Sequence, residues 1–132
     1  MEIDASLNRW HTVLTARDEG ALPALIAEDA VFRSPALFRP AEGRDAVVGY
    51  LTAAMRVLGS ESFTYHREWR NETGAILEFT TELDGRDVHG VDMIEWNDEG
   101  LIQRFDVMVR PQSALTKVIE HMAAQLARML EG

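Results

Sequence analysis

Asp92 stands where a carboxylate is least at home. It lies within Val88 to Trp96, the most strand-like stretch of the chain, which turns at Asn97-Asp98-Glu99-Gly100 and returns as Leu101 to Arg110 in a long hairpin. Among aliphatic and aromatic neighbours, desolvation raises an aspartate pKa above its solution value of about 3.9. Such an acid can donate a hydrogen bond to a ligand oxygen when neutral and take up a proton when ionised. The structural alternative is an acid bonded to a backbone N–H or to the Trp10 indole, tying a helix to the sheet. His89-Gly90-Val91-Asp92 would bring imidazole and acid to one face only if Gly90 marks a bulge; otherwise their parity is opposite.

The other candidates are weaker. His66 and His89 lie on separate strands without a ligand spacing, so no metal site is expected. Ser34 precedes Pro35 with no Gly-x-Ser-x-Gly elbow around it, which suits a strand-end hydrogen bonder rather than a nucleophile. Gly43-Arg44 reads as a helix start and not a phosphate loop, and no cofactor is expected. His11 and His121 read as solvated helix residues.

The elements that must position these groups are readable from apolar periodicity and turn residues. A first helix spans about Ser6 to Ala16, with Leu7, Trp10 and Leu14 on one stripe, and breaks at Arg17-Asp18-Glu19-Gly20. A short second helix carries Pro23 in its first turn and runs to near Asp29; Ala30 to Arg33 is then a strand, followed by a loop around Pro40. Gly43 opens a third helix, striped by Val47, Tyr50, Leu51, Ala54, Met55 and Leu58 and stopped by Gly59. Turns at Asn71-Glu72-Thr73-Gly74, Asp84-Gly85 and Asp98-Glu99-Gly100 cut Ser62 to Arg110 into a four-stranded meander. After Pro111, residues 112–131 carry Leu115, Ile119, Met122, Leu126 and Met129 as a closing amphipathic helix. This predicts a single α+β domain over residues 1–132, a cone-shaped curved antiparallel sheet wrapped around N-terminal helices, with an extra C-terminal helix.

Composition narrows the partners. The 132 residues suit one domain, and 22 acidic against 13 basic side chains leave a formal charge of −9 that repels phosphate backbones and anionic lipid. No nucleic acid and no membrane partner is expected, since no run nears the roughly 20 apolar residues of a span. Met1-Glu2-Ile3-Asp4 lacks the pattern of a secretory signal, so a cytoplasmic setting is expected. With no cysteine, disulfides, thiolate nucleophiles and cysteine-ligated metals are excluded.

The order of elements, with "EDAVFRSP", "EGRDAVVGYL" and "VDMIEWNDEGLIQRFDVMVRP", resembles SnoaL-like domains of the nuclear transport factor 2-like superfamily, from about Leu7 to Arg110. That superfamily includes isomerases, cyclases, epoxide hydrolases, dehydratases and proteins without known catalysis. Compared with ketosteroid isomerase, Asp92-Met93-Ile94-Glu95-Trp96 looks like the strand that carries the oxyanion-hole acid, placing Asp92 in that role. The general base of that enzyme type precedes the proline ending its first strand, where this chain has Ser34, a hydroxyl unable to act as that base. The tyrosine donor of its first helix falls on Trp10, whose indole can only donate. Both positions depart from the isomerase pattern.

Strand alternation, oriented by the resemblance, turns Asp92, Ile94, Trp96, Leu77, Phe79, Thr81, Phe105, Val107 and Val109 inward. Trp10, Leu14, Phe32, Ser34, Tyr50 and Leu51 complete the expected wall. So apolar a lining suits a small apolar or aromatic ligand carrying a carbonyl or hydroxyl, with an isomerase, lyase or cyclase, or hydrolase step at Asp92 as the catalytic expectation. The rival is a non-catalytic, protein-interacting or structural dimer of the same fold, its cone filled by its own aromatics. On the outer face Arg67, Arg70, Arg104, Asp106, Glu78 and Glu82 read as ion-paired surface. Ile76, Met93, Ile102 and Met108 form an apolar patch among them that predicts a homodimer through the sheet.

Overall fold

Helices form where the apolar stripe is long enough, and sheet pairing takes over where it is not. In the computed structural model, which describes residues 1–131, α1 spans Ile3–Ala16 and buries Leu7, Trp10 and Val13. It ends at Arg17, whose left-handed backbone (φ 52°) turns its N–H back to the Leu14 carbonyl. A 3-10 turn, Glu19–Ala21, leads into α2, Leu22–Leu25. This helix does not run to Asp29 as its composition suggests. Ile26 is already in β1 (Ile26–Arg33), paired with Ile102, and its carbonyl accepts a hydrogen bond from Arg44 Nε at 2.9 Å. A four-residue segment that includes Pro23 cannot nucleate a longer helix against that pairing. A two-residue strand, β2 (Ala41–Glu42), lies in what reads as plain loop, and α3 follows as Arg44–Leu58 between Gly43 and Gly59.

From there β3 (Thr64–Arg70), β4 (Gly74–Leu83), β5 (Arg86–Trp96) and β6 (Ile102–Arg110) form the expected antiparallel meander. The sheet order is β2-β1-β6-β5-β4-β3, and β1 joins β6 in parallel, so the curved, unclosed sheet is mixed rather than wholly antiparallel. Its turns have local causes. Asn71 Oδ1 accepts the N–H groups of Thr73 and Gly74, and Asn97 Oδ1 those of Glu99 and Leu101. Asp84 and Gly85 are both left-handed (φ 53° and 75°), as a two-residue hairpin loop demands. A bulge where Trp96 pairs Ile102 but Glu95 pairs Arg104 reverses the side-chain parity of β6 at its start. Ile102 is therefore buried (1% exposed) instead of joining the outer patch.

The core has two clusters. Helices α1 and α2, β1 and the neighbouring parts of β4 to β6 enclose one, with Leu22, Ile26, Phe32, Leu77, Ile94, Trp96 and Phe105. The other packs α4 (Gln112–Glu131) against Ala53, Leu58, Phe79 and Val88. Helix α4 buries Ala114, Val118, Met122 and Gln125, a face rotated from the stripe read in the sequence, and leaves Ile119 exposed. The small Ala114 lets the start of the helix approach α3 and the sheet, which turns Leu115 and Ile119 away. Thus α4 covers the cone of its own chain.

Gly90 lets the ring of Phe79, its cross-strand partner, lie over β5. A Cβ there would sit 2.5 Å from both Phe79 Cζ and the Met108 carbonyl oxygen. Gly90→Ala is expected to destabilise the fold by about 1–3 kcal/mol in urea unfolding, since the backbone oxygen cannot yield. An unchanged midpoint would show that Phe79 and the strands relax freely.

Candidate functional site

Asp92 is central in the sheet, paired with Leu77 on β4 and Val107 on β6, and its side chain points inward. It is 7% exposed. The Tyr65 hydroxyl on β3 donates to Asp92 Oδ2 at 2.5 Å, and Trp10 Nε1 on α1 donates to the Tyr65 oxygen at 3.1 Å. Helix and sheet are thus tied through Asp92, as the structural alternative anticipates, but through an intervening tyrosine. Edge-on contacts from Phe63 and His11, with centroids 5.0 and 5.4 Å away, hold the Tyr65 ring in place.

Burial pushes the Asp92 carboxyl up to about 7, against the smaller opposing effect of the hydrogen bond from Tyr65. Tyr65 is driven well above the ordinary phenol range by burial first, then by the charge of Asp92 and the bond to it, while Trp10's donation opposes the rise. Near neutral pH Asp92 is therefore poised between acid and base.

Asp92 opens onto a cavity of about 50 Å³. Of the residues expected to line it, Trp10, Leu14, Phe32, Ser34, Leu51, Phe79, Phe105 and Val107 do so. Tyr50, Leu77, Ile94 and Trp96 do not. The Tyr50 ring stacks on Phe32 at 6.0 Å, and the other three are buried in the solid cluster beside α1 and α2. Their inward parity holds, but they sit at a depth where no space is left. Thr81 is likewise turned to the Leu58 carbonyl, 3.2 Å away.

The sequence reading misses Tyr65, Met55, Leu58, Phe63, Val118 and Met122, which complete much of the wall. A bulge hides Tyr65. Counting back from the Asn71–Gly74 turn would set Tyr65 opposite outward-facing Thr80, but a shift between Tyr65 and Glu68 sets it opposite Phe79. Ser34 Oγ accepts the Ala36 N–H at 3.0 Å, the bond of a strand end.

Apart from His11, which flanks the Tyr65 ring, the histidines stand apart from this site. Pairing of β4 with β5 runs through Gly90 without a bulge, so His89 faces outward and shares a 2.8 Å hydrogen bond with Glu78. Arg67 grips the same carboxylate through two 2.7 Å bonds, and together, Arg67 first, they hold Glu78 at about 2. His66 meets Thr80 on that face, His11 lies 3.6 Å from Glu68, and His121 is bonded to Asp84. Among the described residues no three histidine or acidic side chains gather as a metal site.

A curved sheet around helices, enclosing an apolar cavity with one buried acid, defines the nuclear transport factor 2-like class with a ketosteroid isomerase-like fold. The profile of the SnoaL-like domain matches residues 7–105, and the chain belongs to that family. A crystal structure of a steroid delta-isomerase from Pseudomonas aeruginosa is 38% identical, over 98% of this chain and 94% of that one, with a TM-score of 0.92. A conserved bacterial protein with a cystatin-like fold from Silicibacter pomeroyi DSS-3 is 34% identical over 96% and 90%, with a TM-score of 0.85. An NTF2-like protein from Mesorhizobium loti, 24% identical over 82% and 90% with a TM-score of 0.70, shares the fold. No curated protein sequence matches the chain. No described helix is long and apolar enough to cross a membrane.

Because folding raises the Asp92 pKa, the folded state holds more protons than the unfolded chain between pH 4 and 7. This residue's contribution to stability is therefore fully present below about pH 4 and lost as pH rises through about 7. Asp92→Asn should match the parent at pH 4 and unfold at higher urea at pH 8, by up to about 4 kcal/mol if nothing relaxes. Tyr65→Phe should move the Asp92 carboxyl NMR titration further up. A midpoint near 4 in the parent would contradict the dry environment described.

Proposed function

We propose that this protein binds a small apolar molecule carrying an oxygen function, placed against Asp92, and that it does so as a cytoplasmic homodimer. The observation that carries the reading is a single buried acid, its pKa pushed up to about 7 by burial, in a wall made, apart from Ser34, almost wholly of aromatic and aliphatic side chains. A neutral Asp92 donates to a carbonyl or hydroxyl oxygen; an ionised one takes a proton from an acidic carbon or a water. An isomerase, lyase or cyclase, or hydrolase step is within its chemistry. Similarity to a steroid delta-isomerase supports ring ketones as the first ligands to try. The two-residue route of ketosteroid isomerisation is not proposed, because Ser34 stands where that chemistry needs a carboxylate.

Dimerisation through the outer sheet face is part of the same reading. Trp69, Ile76 and Met108 are 50%, 37% and 58% exposed there, and Asp106 Oδ1 and His89 Nδ1 are buried without a hydrogen-bond partner. Exposed apolar surface beside unsatisfied polar atoms suits a second protein surface. A non-catalytic dimeric module is the second reading, favoured by one observation: 50 Å³ holds a few waters, well below the roughly 300 Å³ of a small-molecule site.

Thermal-shift screening of steroid-like, terpenoid and aromatic ketones should stabilise the parent, and Asp92→Asn should bind the same compounds about 10- to 100-fold more weakly. If no compound shifts the parent, the non-catalytic reading takes over. Ser34→Asp supplies a carboxylate at the strand end and is expected to gain slow double-bond migration in a β,γ-unsaturated steroid ketone, read by enone absorbance. Retained binding with no gain would show that position 34 is not aligned with the bound ring.

A further inference from the structure

The cavity lies on the seam between the two core clusters. Trp10, Phe32 and Phe105 of the first face it from one side, and Phe79, Val118 and Met122 of the second face it from the other. On that second side α3 also contributes Ala54 and Leu58 and the strands Phe79 and Val109, and α4 contributes Val118 and Met122. The strands on either side of Asp92 are fixed by unbroken pairing from Gly74–Glu95 to Leu83–Arg86 and from His89–Arg110 to Glu95–Arg104. Nothing comparable fixes α4. Its side-chain hydrogen bonds from Thr116, Lys117 and Arg128 stay within the helix, to Gln112, Glu120 and Gln125. Among the described residues its one side-chain polar link to the rest of the fold is His121 Nε2 to Asp84 Oδ2, 2.7 Å long, 38% and 47% exposed at its two ends. Such a surface pair holds weakly.

Otherwise the helix is held by an apolar face of Ala114, Val118, Met122, Leu126 and Met129 that packs on α3 and β4 to β6. Only Pro111 separates β6 from α4, so the chain joins the helix to the sheet at one point. A 50 Å³ space admits no ring-sized molecule unless a wall moves, and of the helices that line it α4 has the fewest side-chain polar links to the rest of the fold.

We infer that α4 is a lid that opens along the seam between the two clusters, with Val118 and Met122 forming the movable wall that sets the size of ligand admitted. The size selection rests on the binding reading above; the opening itself does not. The lid predicts a sub-global opening that leaves the sheet intact.

Hydrogen exchange on the full chain without ligand tests the opening. Amides of Val118 to Leu126 should be roughly 100-fold less protected than those of Val91 to Ile94, and Asp84→Asn should raise α4 exchange by about two- to fivefold with the sheet unchanged. Equal protection of α4 and β5 would overturn the lid whether or not any ligand binds. Size selection is tested with cyclohexanone and a four-ring steroid ketone. Met122→Ala should tighten the steroid ketone by about tenfold while cyclohexanone stays within about twofold. Equal changes for the two would leave Met122 without a role in size. No binding by either ketone, with α4 still exchanging early, would sink the binding reading and keep the lid.

Discussion

Keeping one carboxyl group away from water is the constraint on which the rest of this structure depends. A buried carboxylate without partners would cost several kcal/mol, so the group is held near neutrality and given one strong donor. That donor, Tyr65, needs a fixed ring and an oxygen that is itself satisfied. Phe63 and His11 supply the first and Trp10 the second, which draws α1, β3 and β5 into one polar connection across an apolar core. The first core cluster gathers around it on one side, and the second cluster, α4 included, closes the other.

The two faces of the sheet treat their acids oppositely. Asp92 inside is raised to about 7 by burial, whereas Glu78 outside is held at about 2 by Arg67 and His89. Glu19 and Asp84 are lowered too, by Arg56 and His121. Stability from the lowered acids is present above their ordinary range and lost as pH falls through it. That from Asp92 runs the other way, so the two kinds of group meet near mildly acidic pH rather than at neutrality. Such an arrangement places the charge state of Asp92, and no other buried acid, within reach of ordinary cellular pH.

Those parts of the fold set by local chemistry were readable in the sequence. Turn residues placed all four strands of the meander, Gly43 and Gly59 bounded α3, and an acid amid strand-forming apolar residues marked Asp92, which is buried on the cavity wall. The failures came where partners far along the chain decide. Pairing of Ile26 with Ile102 shortened α2, and a bulge opposite Glu95 and Trp96 turned Ile102 inward. Another bulge in β3 brought Tyr65 to the acid. Alternation gives the face of a residue but not its depth, which is why Leu77, Ile94 and Trp96 point the right way and still miss the cavity.

The wall also limits what chemistry this architecture can support. In the proposed reaction, with one group that titrates near neutrality and a hydroxyl at Ser34, a proton removed by Asp92 would return from the same carboxyl, to a position on the same side of the ligand. Transfers between neighbouring atoms of one face meet that condition; reactions that need an acid and a base on opposite faces do not. Hydrolysis would need a water held in line with the scissile bond, yet Asp92 and Ser34 are the main polar points of the wall once the Tyr65 hydroxyl is engaged in its hydrogen bond to Asp92. The same economy makes recognition undemanding. In the proposed binding, one ligand oxygen against Asp92 and enough apolar surface to fill the space would satisfy most of the wall, so selectivity among ligands would fall to shape, and therefore to the helix proposed to close over them.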